Sequence, residues 1–238
     1  MKRLIPYIQM IAAIAIFSLL FAFTSNRNNS RKIKASVIVF EGDSSLFITK
    51  EEVNKLLIQN QTSVTDVTKD ALDLNNMESL LLRNKMIKDA EVYMTIDGEL
   101  KVNVTQRKPL ARVVGTRSFY IDDEGEEMPL SGNYTARVPL INGQVTNENK
   151  QEIFKVLKKI TSDNFLKVSV IGISVQKNDF TLRMRANNFK VKLGSADGLD
   201  LKFKKLKAFY QKAVKDKSLD TYSWVNLKFS NQVVCTKK

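Results

Sequence analysis

The chain contains no histidine. That absence removes Ser-His-Asp and Cys-His catalysis, imidazole-ligated zinc and every imidazole proton shuttle in one step. There is a single cysteine, Cys235, which leaves no intrachain disulfide and no thiolate metal cluster. The expectation is a protein with no cofactor, no metal and no catalytic residue. What is there is an ordinary globular composition: 238 residues, 43% hydrophobic and 26% charged, enough for one large or two small domains. The formal net charge is +13. So basic a chain favours an acidic partner, whether nucleic acid, anionic lipid head groups or an acidic protein face, and charge alone does not choose among them.

Charge is also missing locally. Residues 5–23 (IPYIQMIAAIAIFSLLFAF) carry none, and as a helix they reach about 28 Å, against a hydrocarbon core of roughly 30 Å. Pro6 falls in the first turn, where its missing N–H does no harm, and Tyr7 lies near the interface. The alternatives are a buried core helix and a cleaved signal peptide, although the apolar run is long for the latter and Ala22-Phe23-Thr24 is a poor cleavage site. Lys2 and Arg3 precede the run while Arg27, Arg31, Lys32 and Lys34 follow it, the reverse of the positive-inside pattern. The body is still expected outside, because long domains translocate largely regardless of flanking charge. This reading gives a cytoplasmic stub at 1–4, a transmembrane helix at 5–23 that places the protein in the lipid bilayer, and a polar basic tether at 24–32.

The body is organised around residues 80–112. Ala90, Val92, Met94 and Ile96 alternate with polar positions, and after Asp97-Gly98 the alternation resumes at Leu100, Val102 and Val104. Two such runs around Asp-Gly predict an antiparallel hairpin with a type I′ turn. Pro109 then marks the point where the chain leaves that sheet. Upstream, Ile33 to Phe40 is β-rich. Thr49 and Glu52 form a capping box, with Ile48 and Val53 as its hydrophobic staple, so a helix starts at Lys50. After a polar connection over 61–70, Asn75 with Glu78 three residues on predicts a second helix that stops near Asn84. The order is strand, helix, helix, strand, strand.

An anchor and tether, then this β-α-α-β-β order with Met86-Ile87, Ala90-x-Val92 and the L-x-V-x-V-x-Q-R-x-P-x-A run from Leu100 to Ala111, resembles the POTRA domain of the FtsQ/DivIB bacterial cell-division family. Gln106 stands where that family's strand ends in Glu. The resemblance covers the whole chain. It implies an α+β protein: a single N-terminal transmembrane helix, a POTRA domain over 33–110, and a mostly antiparallel β domain with two helices over 111–238. It also implies a non-enzymatic, single-pass scaffold of the divisome, in the cytoplasmic membrane at the division septum with its C-terminal domains outside. The runner-up, a POTRA-bearing protein of outer-membrane assembly or secretion, would need a barrel of long alternating strands downstream.

In the second half, Phe119 to Asp122 and Glu127 to Leu130 flank a Gly125 turn as a second hairpin. The carboxylates around that turn, Asp122 and Glu127 among them, keep open a third class, a hydrolase of cell-wall sugars. Turns rich in Asp, Glu and Gly are, however, ordinary solvated chemistry. Glu148 to Ser162 reads as an amphipathic helix, and 168–175, 180–185 and 189–193 as a three-strand meander joined through Lys177-Asn178-Asp179 and Asn187-Asn188. Leu199 to Lys217 is a second helix, with Lys202, Lys204, Lys205, Lys207, Lys212, Lys215 and Lys217 outside its apolar stripe. Direct base readout prefers Arg, and no aromatic residues interleave with these lysines for stacking, so a solvated face or a lipid or protein contact is expected there, and no nucleic acid.

Tyr222 to Phe229 and Gln232 to Thr236 are strand-like. A terminal strand lies at a sheet edge, where its free N–H and C=O groups form a template for another chain. A hairpin that merely closes the sheet is the alternative. The family resemblance implies that this strand, with the basic-aromatic pair before it, receives a segment of FtsB by strand addition. The implied partner-binding residues are Lys228, Phe229, Gln232, Val233, Val234, Cys235 and Thr236. The implied partners are FtsB and FtsL, with FtsK and FtsW/FtsI as further divisome contacts.

Overall fold

The computed structural model describes residues 5–29, 33–42, 47–58, 72–186 and 189–238. The stub at 1–4, the connection at 61–70, the end of the tether and the Asn187-Asn188 turn lie outside the described residues. The chain divides into two units, Met1–Gln106 and Arg107–Lys238.

The first unit opens with α1 (Ile5–Asn29), a helix that runs past Phe23 into the stretch expected as tether. Its side chains are described over 10–25 and are exposed throughout, with Ile11, Phe17 and Leu19 each more than 60% accessible. These apolar residues fall on every side of the helix. Among the described residues no helix is long and apolar enough to cross a membrane.

Beyond it, β1 (Ala35–Glu41), α2 (Lys50–Ile58), α3 (Leu74–Leu82), β2 (Ile87–Met94) and β3 (Glu99–Gln106) follow in the expected order. The sheet runs β1-β3-β2, with β2 and β3 antiparallel and β1 parallel to β3. Leu100, Val102 and Val104 are fully buried in the centre of the core, together with Ala90, Val92, Val53, Leu57, Met77 and Leu81. The capping box is present: the Thr49 amide donates to Glu52 Oε2 (2.8 Å) and the Glu52 amide to Thr49 Oγ1 (3.2 Å). Ile48 and Val53 are both buried.

Three local expectations are corrected. The cap of α3 is Asp73, whose side chain accepts from the Asn76 amide, rather than Asn75. The hairpin turn is not type I′, because Asp97 does not take positive φ while Gly98 does, at 87°. The Gly98 amide donates to the Thr95 carbonyl and the Thr95 amide to the Glu99 carbonyl, the longer loop that places one left-handed glycine after the turn. Ile96, read as part of the apolar face, therefore sits at the loop tip, 97% exposed. Gln106 is buried, and its Oε1 accepts from the amides of Phe47 (2.7 Å) and Ile48 (3.2 Å). A neutral amide oxygen closes this loop without burying a charge, which rationalises Gln at that position.

The second unit contains β4 (Pro109–Val114), β5 (Phe119–Asp122), β6 (Glu127–Met128), β7 (Leu140–Asn142), α4 (Lys150–Thr161), α5 (Asn164–Ser169), β8 (Val170–Gln176), β9 (Asp179–Met184), β10 (Lys190–Gly194), α6 (Leu199–Lys215), β11 (Tyr222–Asn226) and β12 (Val234–Lys237). They form one nine-stranded sheet in the order β12-β11-β10-β9-β8-β7-β4-β5-β6. The expected β8-β9-β10 meander is present. The sheet is mostly antiparallel, as expected, with β4/β7, β7/β8 and β10/β11 parallel, and three helices replace the expected two. The additional one, α5, takes Val168 and Ser169 from the predicted strand, because Asp163 caps it by accepting from the amides of Phe165 (3.1 Å) and Leu166 (3.2 Å). Ile153, Val156, Leu157, Ile160, Phe203 and Leu206 are buried against Ile141, Ile173, Leu182, Val191 and Val225 in the core of this unit.

Candidate partner-binding edge

All seven predicted site residues belong to one hairpin. β11 is fixed by its parallel pairing to β10, Lys190↔Trp224 through Lys192↔Asn226. β12 returns antiparallel along its other side, Asn226↔Val234 through Tyr222↔Lys237, and is the last strand of the sheet on that side. Val234, Cys235 and Thr236 lie on β12, while Gln232 and Val233 lead into it and Lys228 and Phe229 occupy the connecting loop. The strand begins two residues later than the sequence suggests and β11 ends at Asn226, so the basic-aromatic pair stands outside both strands.

Alternation decides which side chains face where. Val225 is fully buried, and Cys235, paired with it, packs with Val233 against the core. Burial pushes the Cys235 thiol above its ordinary pKa. Val234 and Thr236 point the opposite way and are exposed. The other end of the sheet is blunted by β6, only two residues long. At the β12 end the strand itself carries a single charge, Lys237, so its outer N–H and C=O groups have little protection from pairing.

The connecting loop is held from two directions. Leu227 is fully buried and its amide donates to the Lys192 carbonyl (2.9 Å). Lys205 of α6 donates to the carbonyls of Phe229 and Ser230, the latter at 3.3 Å. The Lys228 ammonium pairs with the Asp179 carboxylate, and its amide donates to Asn226 Oδ1 (3.0 Å). Phe229 is 46% exposed, outside the core, as a side chain available to a partner would be. Gln232 is exposed as well.

Sequence reasoning missed Lys205, which looked like one of seven solvated lysines. Its only signal is its position beside the buried Leu206, at the border of the apolar stripe. It also missed Trp224, whose ring lies under the ammonium groups of Lys192 (4.8 Å) and Lys190 (5.3 Å) on the strand next to the edge. The acidic turn turns out to be structural. Asp122 is fully buried, and its carboxylate accepts from the amides of Glu124 (3.0 Å) and Glu126 (2.7 Å) and from Arg107 Nη1 (2.6 Å). Glu127 is paired with Arg117. Asp122 and Glu127, named among the carboxylates of that turn, are thus committed to separate cations.

Two family models match the chain. Residues 34–105 match one described as a POTRA-like domain, and residues 108–236, more than half of the chain, match one described as FtsQ/DivIB, C-terminal related. No curated protein matches the chain.

Proposed function

The chain belongs to the FtsQ/DivIB family of membrane-anchored, non-enzymatic bacterial division scaffolds, and we propose that it works in the divisome as a single-span protein that takes a partner strand onto the outer edge of β12. The observation that carries this reading is the position of β12 at the end of the nine-stranded sheet, with Val234 and Thr236 exposed on it. Strand addition needs a backbone template for affinity and flanking side chains for specificity. Phe229 would supply an apolar anchor and Lys228 a charge, with Lys205 holding the loop that presents both. The partners are the extracytoplasmic parts of FtsB and FtsL, with FtsK and FtsW/FtsI as further contacts at the septum.

The span is residues 5–23 within α1. A helix apolar on all sides is at home in a protein core or in lipid, and the described side chains of α1 are packed in no core of this chain.

Titration of the intact protein, in a neutral detergent, with the extracytoplasmic parts of FtsB and FtsL tests the site. Val234→Pro removes a backbone donor and bends the strand, and should abolish binding while circular dichroism stays near wild type. Phe229→Ala should cost about 2 kcal/mol of affinity. Lys228→Glu should mainly slow association and change its salt dependence. Undiminished affinity in folded Val234→Pro would move the partner site away from this edge.

A further inference from the structure

The sheet of the first unit is covered on one face by α2 and α3, which pack into its core. Its other face is built from three cross-strand rows: Val37–Lys101–Tyr93, Val39–Asn103–Glu91 and Glu41–Thr105–Asp89. Val37, Val39 and Tyr93 are large apolar side chains left exposed there. At the acidic end, Glu41, Asp89 and Glu91 line a hollow of about 310 Å³ together with Glu78 of α3. Among the described residues, none of these four carboxylates is ion-paired to a lysine or arginine. The carboxylates of Glu91 and Glu41 accept from Asn103 (3.2 Å) and Thr105 (3.5 Å). The surface carries Val37 and Tyr93 on either side of Lys101 at one end, and at the other carboxylates with no ion pair among the described residues.

The second unit carries the complement. Residues 33–106 hold 8 Lys and Arg against 12 Asp and Glu, whereas residues 107–238 hold 25 against 13. On α6 the inward stripe is Phe203, Leu206 and Ala213. The opposite, exposed stripe runs Leu201, Lys204, Ala208, Gln211 and Lys215, flanked by Lys212 and Val214. Leu201 and Val214 are at least half exposed, and Lys204, Lys212 and Lys215 have no ion pair among the described residues. Ala208 in the middle of the stripe allows a backbone to approach closely. The exposed stripe of α6 carries Leu201 towards its start and Lys212 and Lys215 towards its end, and the sheet face carries unpaired carboxylates at one end, so it is charge that makes the two surfaces complementary.

We propose that the open face of the first sheet docks the exposed face of α6 from a second copy of this chain, through Asp89 and Glu91 against Lys212 and Lys215. The contact joins two different surfaces, so it is heterologous, and any assembly that does not close into a ring keeps a free face at one end and a free helix at the other. It involves neither β12 nor its loop and is independent of the strand-addition site. The attraction is between exposed charges, hence modest and screened by salt. It is suited to chains already concentrated in one membrane.

Sedimentation of the intact protein in neutral detergent, at low and high salt, tests this. Association should grow with concentration and weaken at high salt. Asp89→Asn with Glu91→Gln, and separately Lys212→Gln with Lys215→Gln, should each weaken it roughly five- to tenfold, as expected for the loss of two exposed charge pairs. An equimolar mixture of the two variants should recover a complex that stops at two subunits. In a Cys235→Ser background, Glu91→Cys and Ala208→Cys chains should form a disulfide-linked dimer when mixed and none when alone. A monomer at every concentration, association indifferent to salt and to both variants, or Glu91→Cys chains that cross-link to one another would each overturn the proposal. So would a synthetic 199–217 peptide that binds the acidic face of a chain that does not self-associate.

Discussion

Single residues fix the ends of the helices, and two predictions belong at this scale. Thr49→Ala should lower stability by about 1 kcal/mol in chemical denaturation, because the Glu52 amide loses its acceptor; an unchanged midpoint would contradict the cap. Asp163 is held below its ordinary pKa of 3.8, first by the hydrogen bond from the Lys207 ammonium and then by the amides it caps. A carboxyl whose folded pKa is depressed contributes stability above its unfolded pKa and loses that contribution as pH falls through the folded value. Asp163→Asn should therefore be less stable than wild type at neutral pH, with the gap closing below pH 3.8; a gap that persists in acid would refute the assignment. The Thr49–Glu52 box was legible because both partners are local and three residues apart. Gln106 was not, because its two donors, Phe47 and Ile48, arrive from almost sixty residues upstream.

At the scale of elements, period-two alternation located β2 and β3 because one face of each is buried. The same signal did not show that β1 adds parallel to β3, since pairing direction depends on the crossover through α2 and α3 and not on the strand itself. Nor did it show α5, six residues whose Val168 and Ser169 resemble a strand start. At the edge hairpin, β12 was legible from its terminal position and apolar content. The hold of Lys205 on the loop was not, because no local pattern distinguishes a lysine bound to distant carbonyls from a solvated one. For α1 the expectation is retention: intact protein should stay in the membrane pellet under alkaline wash, because an uncharged span of residues 5–23 is held by hydrocarbon and not by charge. Release into the supernatant would contradict the anchor.

For the whole molecule, the division at Gln106/Arg107 separates two hydrophobic cores that share no residue. Calorimetry of the intact chain should then show two unfolding transitions. Leu100→Ala should cost about 2–5 kcal/mol in the transition of the first unit and leave the second in place, whereas Leu206→Ala should do the reverse. A single transition displaced by either substitution would show that the units unfold as one. Trp224 is the only tryptophan in the 238 residues, and it lies on β11, one strand in from the edge, beneath two ammonium groups. The intrinsic emission of this protein under selective excitation is therefore the light of a single indole beside the proposed docking strand. Occupation of that strand should be read out as a spectral shift from the unlabelled native chain.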